Sequence, residues 1–213
     1  MKRKIITVSI CLCIICIAIL ITSLLLYSPV QVVIDPGHGG KDVGAKYSGR
    51  YEKDDNLALA LLVNDNLKRM GIETYLTRKD DVVLELSDRC KIANRKKALL
   101  FVSLHRNSAE GAEGVEIWIS SDAGETDKAL AENILTMLDN AGISQNRGVK
   151  SGYARGEGDY YVNSHSEMPS CLVELGFINS EKDNELFDKN LEEYASAIAS
   201  AISKTLMEKD FES

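Results

Sequence analysis

The chain has 213 residues, 45% of them hydrophobic and 27% charged, which is typical of one packed domain with a short appendage and not of a disordered protein. Its formal net charge is −7. An acidic chain without a visible basic stripe argues against nucleic acid as a partner, and against strong attraction to anionic lipid headgroups or wall polymers. A substrate is therefore expected to bind in a local cleft.

Residues 1–28 predict a membrane anchor or a signal segment. Three basic residues among the first four precede an uncharged run at 5–27, and a helix needs about 20 apolar residues to cross a bilayer. A cleaved signal peptide has a shorter apolar region and a small-residue cleavage site, which is not evident near residue 28, so we favour an uncleaved single-pass transmembrane helix. The basic residues place the N-terminus in the cytoplasm and the rest outside the cell. With or without cleavage, residues 29–213 are predicted to form an exported folded domain.

The cysteines divide between these two regions. Three lie in the apolar segment, where they are expected to be polarisable membrane residues. The spacing Cys13-x-x-Cys16 resembles a redox pair but lacks the βαβ context of one. Cys90 and Cys171 lie in apolar elements of the exported domain. A disulfide is one alternative in an oxidising compartment, and two buried free thiols are the expectation we favour.

Beyond residue 28 the pattern alternates between strands and helices. Strands are predicted at 31–35, 72–77, 99–104, 114–120 and 170–175, and helices at 55–70, 87–97 and 125–141, with a short and a longer helix within 181–206. This alternation predicts a single α/β domain with a twisted, mostly parallel sheet flanked by helices on both faces.

Three ionisable residues are expected at one edge of that sheet. His38 follows the first strand, His105 follows the third, and Glu174 lies at the end of the last. Reactive groups of open α/β sheets gather beyond the carboxyl ends of the strands. Glu174 interrupts an apolar run, so its carboxylate must be paired, metal-bound or shifted in pKa. Histidines and carboxylates are the usual ligands of catalytic zinc, although a lone histidine after a strand is more often a surface residue.

Seven motifs, in order along residues 31–206, carry a resemblance to a known family. They are IDPGHGGKDVGA at 34–45, YEKD at 51–54, TR at 77–78, LFVSLHRNS at 100–108, GVEIW at 114–118, NRGVK at 146–150 and MPSCLVELGFINS at 168–180. The chain resembles the zinc-dependent N-acetylmuramoyl-L-alanine amidases, the type 3 amidase domain of bacterial cell-wall hydrolases. The resemblance implies hydrolysis of the amide bond between N-acetylmuramic acid and L-alanine in peptidoglycan.

The resemblance also implies a role for single residues. His38, Glu52 and His105 match the ligands of one zinc ion, and Glu174 matches the catalytic general base. Without the resemblance, Glu52 would pass for a solvated charge. Asp35, Arg78 and Asn107 lie in the same motifs and are candidates to orient the ligands or the substrate. His165 matches no ligand and is assigned to the surface or to substrate contact.

Two alternative functions stay open at this stage: a zinc peptidase acting on wall peptides, and a non-catalytic wall-binding module. The short stretch at 119–146 predicts no autoinhibitory segment, and the loop at 150–163 is the one expected to move over the cleft. Growth, sporulation and spore-cortex maturation all suit a small enzyme near the membrane. The sequence identifies no activating protein partner.

Overall fold

The computed structural model describes residues 29–154 and 156–210, so the predicted membrane segment at 1–28 lies outside the described residues. Among the residues described, no helix is both long enough and apolar enough to cross a membrane. The elements are β1 (Val32–Pro36), β2 (Lys46–Tyr47), β3 (Arg50–Tyr51), α1 (Glu52–Arg69), β4 (Thr74–Leu76), α2 (Leu86–Lys96), β5 (Leu100–Asn107), β6 (Val115–Ile119), α3 (Glu125–Asn140), β7 (Asn146–Ser151), α4 (Tyr161–Ser164), β8 (Ser170–Phe177) and α5 (Glu181–Asp210).

Six of these strands form one sheet in the order β4-β1-β5-β8-β6-β7. All neighbouring pairs are parallel except β6 and β8, which are antiparallel. Strands β2 and β3 form a separate hairpin just before α1. The predicted α/β domain with a mostly parallel sheet flanked by helices is confirmed.

The two faces of the sheet are covered unequally. Helices α1, α3 and α5 pack on one face through the larger apolar cluster, in which Leu59, Val63 and Leu67 line one side of α1 at helical spacing. The other face has a smaller cluster around Phe101 and Trp118, covered by α2 and α4. Because side chains alternate along a strand, this second face also carries Ser103 and His105 of β5, Glu116 of β6 and Glu174 of β8. The incomplete cover leaves room there for a cleft.

Several boundaries differ from the sequence prediction. Strand β7 was not predicted, because its residues NRGVKS are polar and none of them is fully buried. Helix α1 begins at Glu52, three residues earlier than expected, since its first turn is acidic and reads as solvated charge. Helix α5 contains a kink at Asn190, in agreement with two predicted helices. The two described cysteines, Cys90 and Cys171, are buried and free, as expected.

Candidate metal centre and catalytic cleft

The loop after β1 brings His38 into the site through an unusual backbone. His38 itself has φ +59°, a left-handed conformation that side chains rarely adopt. A Cβ on Gly37 would lie 2.2 Å from Cε1 of His105, and one on Gly44 would lie 2.6 Å from both Oε2 of Glu52 and Cδ2 of His38. Glycine is required at both positions because the backbone passes directly against the side chains of His38, Glu52 and His105.

His38, Glu52 and His105 meet at one point. Oε1 of Glu52 lies 2.9 Å from Nδ1 of His105 and 3.2 Å from Nε2 of His38. One candidate ligand atom from each residue lies within 4.8 Å of the other two. Two imidazole nitrogens and one carboxylate oxygen form the donor set of many catalytic zinc sites, in which a further position stays open. The three residues, which the family resemblance implies as ligands, therefore lie close enough together to fit a single metal ion.

Hydrogen bonds and the neighbouring histidine side chains keep Glu52 ionised although it is buried. The residue is 4% exposed and is the first residue of α1. Its Oε2 accepts a hydrogen bond from the backbone N–H of Ala45 at 2.8 Å, and Oε1 accepts one from the N–H of Arg106 at 3.1 Å. Burial raises the pKa of Glu52, but the hydrogen bonds and charges of His105 and His38 outweigh it and hold the pKa far below its usual range.

The same contacts charge His38 in the metal-free protein. Burial lowers the pKa of His38, and the stronger effects of Glu52 and Asp42 raise it to about 9. Nδ1 of His38 lies 2.9 Å from Oδ2 of Asp42, which fixes the ring orientation. A proton on His38 therefore balances the charge of Glu52 where a metal would otherwise do so.

Two arginines hold the carbonyl groups of the His38 loop. Arg78 donates from Nε to the carbonyl of Pro36 at 3.0 Å and from Nη2 to that of Gly37 at 2.9 Å. Arg89 donates from Nη1 to the carbonyl of Pro36 and from Nη2 to that of His38, both at 2.8 Å. Arg78 was predicted to act near the site, whereas Arg89 was missed. Its sequence signal was an arginine on the buried side of α2, next to Cys90.

Asp35 supplies the counter-charge beneath this loop. It is fully buried and accepts hydrogen bonds from Nη1 of Arg89 at 2.7 Å, Oγ1 of Thr77 at 2.5 Å and Oγ of Ser103 at 2.8 Å. Burial raises the pKa of Asp35, but Arg89 and the hydroxyl groups of Thr77 and Ser103 lower it by a larger amount. The pKa of Asp35 is therefore below its usual value. Asp35 thus acts on the loop and not on substrate.

Glu174 lies beside the metal ligands on the sheet. It is the direct cross-strand partner of His105, is 7% exposed, and lines the same cleft as the three ligands. His105 was predicted to follow β5, and Glu174 to lie at the end of β8. Both predictions were wrong, because β5 continues to Asn107 and β8 continues to Phe177. A register shift between His105 and Asn107 extends the pairing past the site.

Asn107 also lines the cleft, and its side chain donates a hydrogen bond to Glu116, a residue that was not predicted from the sequence. Nδ2 of Asn107 donates to Oε1 of Glu116 at 2.9 Å. Glu116 is 3% exposed within the apolar strand β6. The signal that singled out Glu174, a carboxylate in an apolar strand, was equally present for Glu116.

The cleft encloses about 690 Å³, with the metal ligands at one side and an aromatic wall at the other. Tyr153 and Tyr160 stack edge to face at 4.8 Å, and Trp118 lies behind Tyr160 at 5.5 Å. His165 is exposed and stacks on Tyr161 of the wall at 3.8 Å. The predicted loop at 150–163 thus contributes the wall, and the cleft is large enough for a sugar or several peptide groups.

Residues 32–206 match the family model of N-acetylmuramoyl-L-alanine amidases. The chain is 42% identical over 173 residues to the uncharacterized protein YqiI of Bacillus subtilis, covering 80% of both chains. It is 35% identical over 156 residues to the sporulation-specific N-acetylmuramoyl-L-alanine amidase of the same organism, covering 72% of this chain and 58% of the relative.

The structure is similar to that of the amidase AmiC2 of Nostoc punctiforme, with a TM-score of 0.75 and 37% identity. The match covers 84% of this chain and 98% of AmiC2. The fold, the sequence identity and the cluster of site residues all indicate the same family. The chain belongs to the N-acetylmuramoyl-L-alanine amidase family of cell-wall hydrolases.

Proposed function

We propose that this chain hydrolyses the amide bond between N-acetylmuramic acid and the L-alanine of the stem peptide in peptidoglycan, with one zinc ion held by His38, Glu52 and His105. The observation that carries the proposal is the convergence of these three side chains, with Glu174 as the strand neighbour of His105. Metal dependence is typical of the family, and the donor set favours zinc over harder ions, which prefer oxygen ligands.

When bound, the zinc would supply Lewis-acid activation of the hydrolysis. Glu174 would accept a proton from the attacking water as its oxygen bonds to the lactyl carbonyl carbon. The same carboxyl group would deliver that proton to the alanine nitrogen as the carbon–nitrogen bond breaks. The products are a carboxylate on the muramic acid and a peptide with a free N-terminal alanine. Because His105 and Glu174 are paired across the sheet, the distance between base and metal ligand is fixed by the backbone.

The decisive test separates this reaction from the two alternatives. Purified peptidoglycan is incubated with the full-length protein, and the products are analysed by mass spectrometry and N-terminal labelling. An amidase generates new N-terminal alanine. Release of terminal D-alanine would instead indicate a peptidase, and a binding module would release nothing. Glu174→Gln serves as the control that retains the fold and loses the base.

We also propose that the domain works outside the cell, attached to the membrane by residues 1–28. The uncharged run and the basic N-terminus support this placement. Fractionation of cells followed by external protease treatment tests it. The domain is expected in the membrane fraction and to be cleaved from outside, whereas recovery of a shortened chain from the medium would indicate a cleaved signal.

A role in cell-wall or spore-cortex remodelling is proposed from the sporulation-specific relative. Deleting the chain's gene and comparing muropeptides of vegetative cells and spores tests this role. Loss of amidase products in spores alone is the expected result, and loss in growing cells alone would assign the enzyme to growth.

A further inference from the structure

The catalytic face of the sheet carries a row of ionisable side chains that extends away from the metal centre. His105 on β5 pairs with Glu174 on β8, and Glu174 pairs with Glu116 on β6. Residues paired on neighbouring strands project to the same face. Glu116 therefore lies one strand beyond the proposed base, on the side towards the edge strand β7.

Glu116 holds two cations from β7. Its Oε2 accepts hydrogen bonds from Nε of Arg147 at 2.8 Å and from Nζ of Lys150 at 2.5 Å. Its Oε1 accepts from Nδ2 of Asn107 and from Nε1 of Trp118 at 2.9 and 3.1 Å. Burial raises the pKa of Glu116, but the hydrogen bonds from Arg147, Lys150 and Trp118 and the charge of Lys150 lower it by a larger amount, so the carboxylate is ionised. Glu116, Arg147 and Lys150 are called the Glu116 cluster below.

The Glu116 cluster presents positive charge to solvent. Its one carboxylate is 4% exposed, whereas the side chains of Arg147 and Lys150 are 30% and 33% exposed. Two cations share one anion, so the cluster is net positive on a chain whose net charge is −7. The cations are held in place, because Arg147 lies 5.0 Å from the ring of Phe177 and Lys150 lies 5.3 Å from that of Trp118.

Both cations have hydrogen-bonding capacity left for an anion. An ammonium group has three N–H donors and a guanidinium group five. In the described part of the chain, Lys150 contacts one acceptor through Nζ, and Arg147 uses Nε on Glu116 and Nη1 on the carbonyl of Glu113. A carboxylate approaching from solvent would meet preorganised, charged donors.

The spacing suits a peptide that leaves the metal centre across the sheet. Neighbouring strands lie about 4.8 Å apart, so the strand that carries Glu116 lies about 5 Å from the strand of Glu174 and about 10 Å from the strand of His105. An extended chain advances about 3.5 Å per residue, so a group on the second residue lies about 7 Å from the bond that is cut. Asn107, which lines the cleft and donates to Glu116, spans the interval.

We propose that Arg147 and Lys150 form a carboxylate subsite that recognises an acidic second residue of the stem peptide. The subsite rests on the proposed function, since it takes the scissile amide at the metal centre as its origin. It makes the enzyme selective for stems whose second residue carries a free α-carboxylate over stems in which that group is a primary amide.

The test combines a change in the protein, which removes one cation, with a change in the substrate, which removes the carboxylate. Two N-acetylmuramoyl peptides that differ only in a free or amidated second residue are hydrolysed by the full-length protein. The wild type is expected to prefer the acid in kcat/KM by about tenfold, mostly through KM, the size of one charge-assisted hydrogen bond. Lys150→Gln is expected to bring the preference close to one, and Lys150→Arg to preserve it.

Controls separate recognition from folding. Lys128→Gln removes an exposed lysine that is paired with Glu125 on α3, and is expected to keep the wild-type preference. Arg147→Gln, which leaves Lys150 on Glu116, is the second test variant if Lys150→Gln unfolds, and is expected to reduce the preference likewise.

The outcomes distinguish the subsite from the function on which it rests. Equal hydrolysis of the two peptides by the wild type, or a preference that survives both glutamine variants, overturns the subsite and leaves the amidase assignment standing. Failure of the wild type to release alanine-ended peptide from either substrate overturns the amidase assignment, and the subsite with it.

Discussion

The two ends of the cleft are built differently. At the β1 end, the His38 loop is held from below by Asp35, Arg78 and Arg89, whose side chains are nearly or fully buried. At the β7 end, the tyrosines of the aromatic wall are partly exposed, and so are the cations of the Glu116 cluster, which adjoins the wall through Trp118. A metal site needs ligands fixed within fractions of an ångström, whereas recognition tolerates adjustable groups at a rim. The buried end therefore suits the chemistry, and the exposed end suits the proposed selection of substrate.

Removing the proposed base is expected to have the largest effect. Glu174→Gln keeps the size of the side chain and loses the proton acceptor, so kcat should fall by about 10²–10⁴-fold. Zinc content should stay at the wild-type value, because Glu174 is not one of the three ligands. The check is kcat on soluble muropeptide together with metal analysis. A variant with normal kcat would remove Glu174 from the chemistry.

Breaking the buried end should affect stability and metal binding together. Arg89→Met leaves Asp35 buried without its cation, which is expected to cost about 3–5 kcal/mol of the free energy of unfolding. It also releases the carbonyl of His38, so zinc affinity should fall by about 10–100-fold. Denaturant unfolding and competition with a chelator measure the two effects.

Arg95→Met on the exposed side of α2 is the matched control, with an expected change within about 0.5 kcal/mol. Loss of stability in Arg89→Met with zinc affinity unchanged would show that the arginine supports the fold and not the ligand.

The pH dependence of zinc binding tests the charge on His38. Its pKa is raised to about 9 in the metal-free protein, so zinc must displace a proton at neutral pH. Zinc affinity is expected to rise by about tenfold per pH unit from pH 6 to 8. The raised pKa also stabilises the metal-free fold below pH about 6.5, a contribution lost as pH rises through about 9. Chelator competition at several pH values is the measurement, and a flat affinity would contradict a protonated His38.

The exposed end should respond least. Tyr153→Ala removes one partner of the stacked pair at the cleft wall and is expected to raise KM severalfold with little change in kcat. Tyr47→Ala, at an equally exposed tyrosine of the hairpin, should leave both constants unchanged. A fall in kcat for Tyr153→Ala at constant KM would place the wall in the chemistry and weaken the comparison of the two ends.

The sequence predicted the parts of the fold that have apolar periodicity. Strands β1, β5 and β8 and helix α1 bury continuous or periodic apolar residues, and their presence and type were confirmed. Strand β7 lacks that signal, because it is a polar edge strand. The family prediction was also confirmed, since motifs in a fixed order carry more information than any single residue.

Within the site, the sequence pattern identified a charged residue that lies in an apolar segment. Glu174 was found because it interrupts an apolar strand, whereas Glu52 looked like solvated charge and was identified only through the family. Arg89 was missed because its partner is distant in sequence, and Glu116 was missed although it interrupts an apolar strand as Glu174 does. The partner of Glu116 is also distant in sequence. Arg89 pairs with Asp35 54 positions away, and Glu116 with Arg147 31 positions away. Such pairs become visible only when the chain is folded.

Titration of zinc into metal-free, full-length protein tests the metal centre most directly. Amidase activity is followed as new N-terminal alanine released from peptidoglycan. We expect activity to rise linearly and to stop at one equivalent of zinc per chain, with no rise in His105→Ala. Activity that is full without metal, or that needs a second equivalent, would contradict a single site formed by His38, Glu52 and His105.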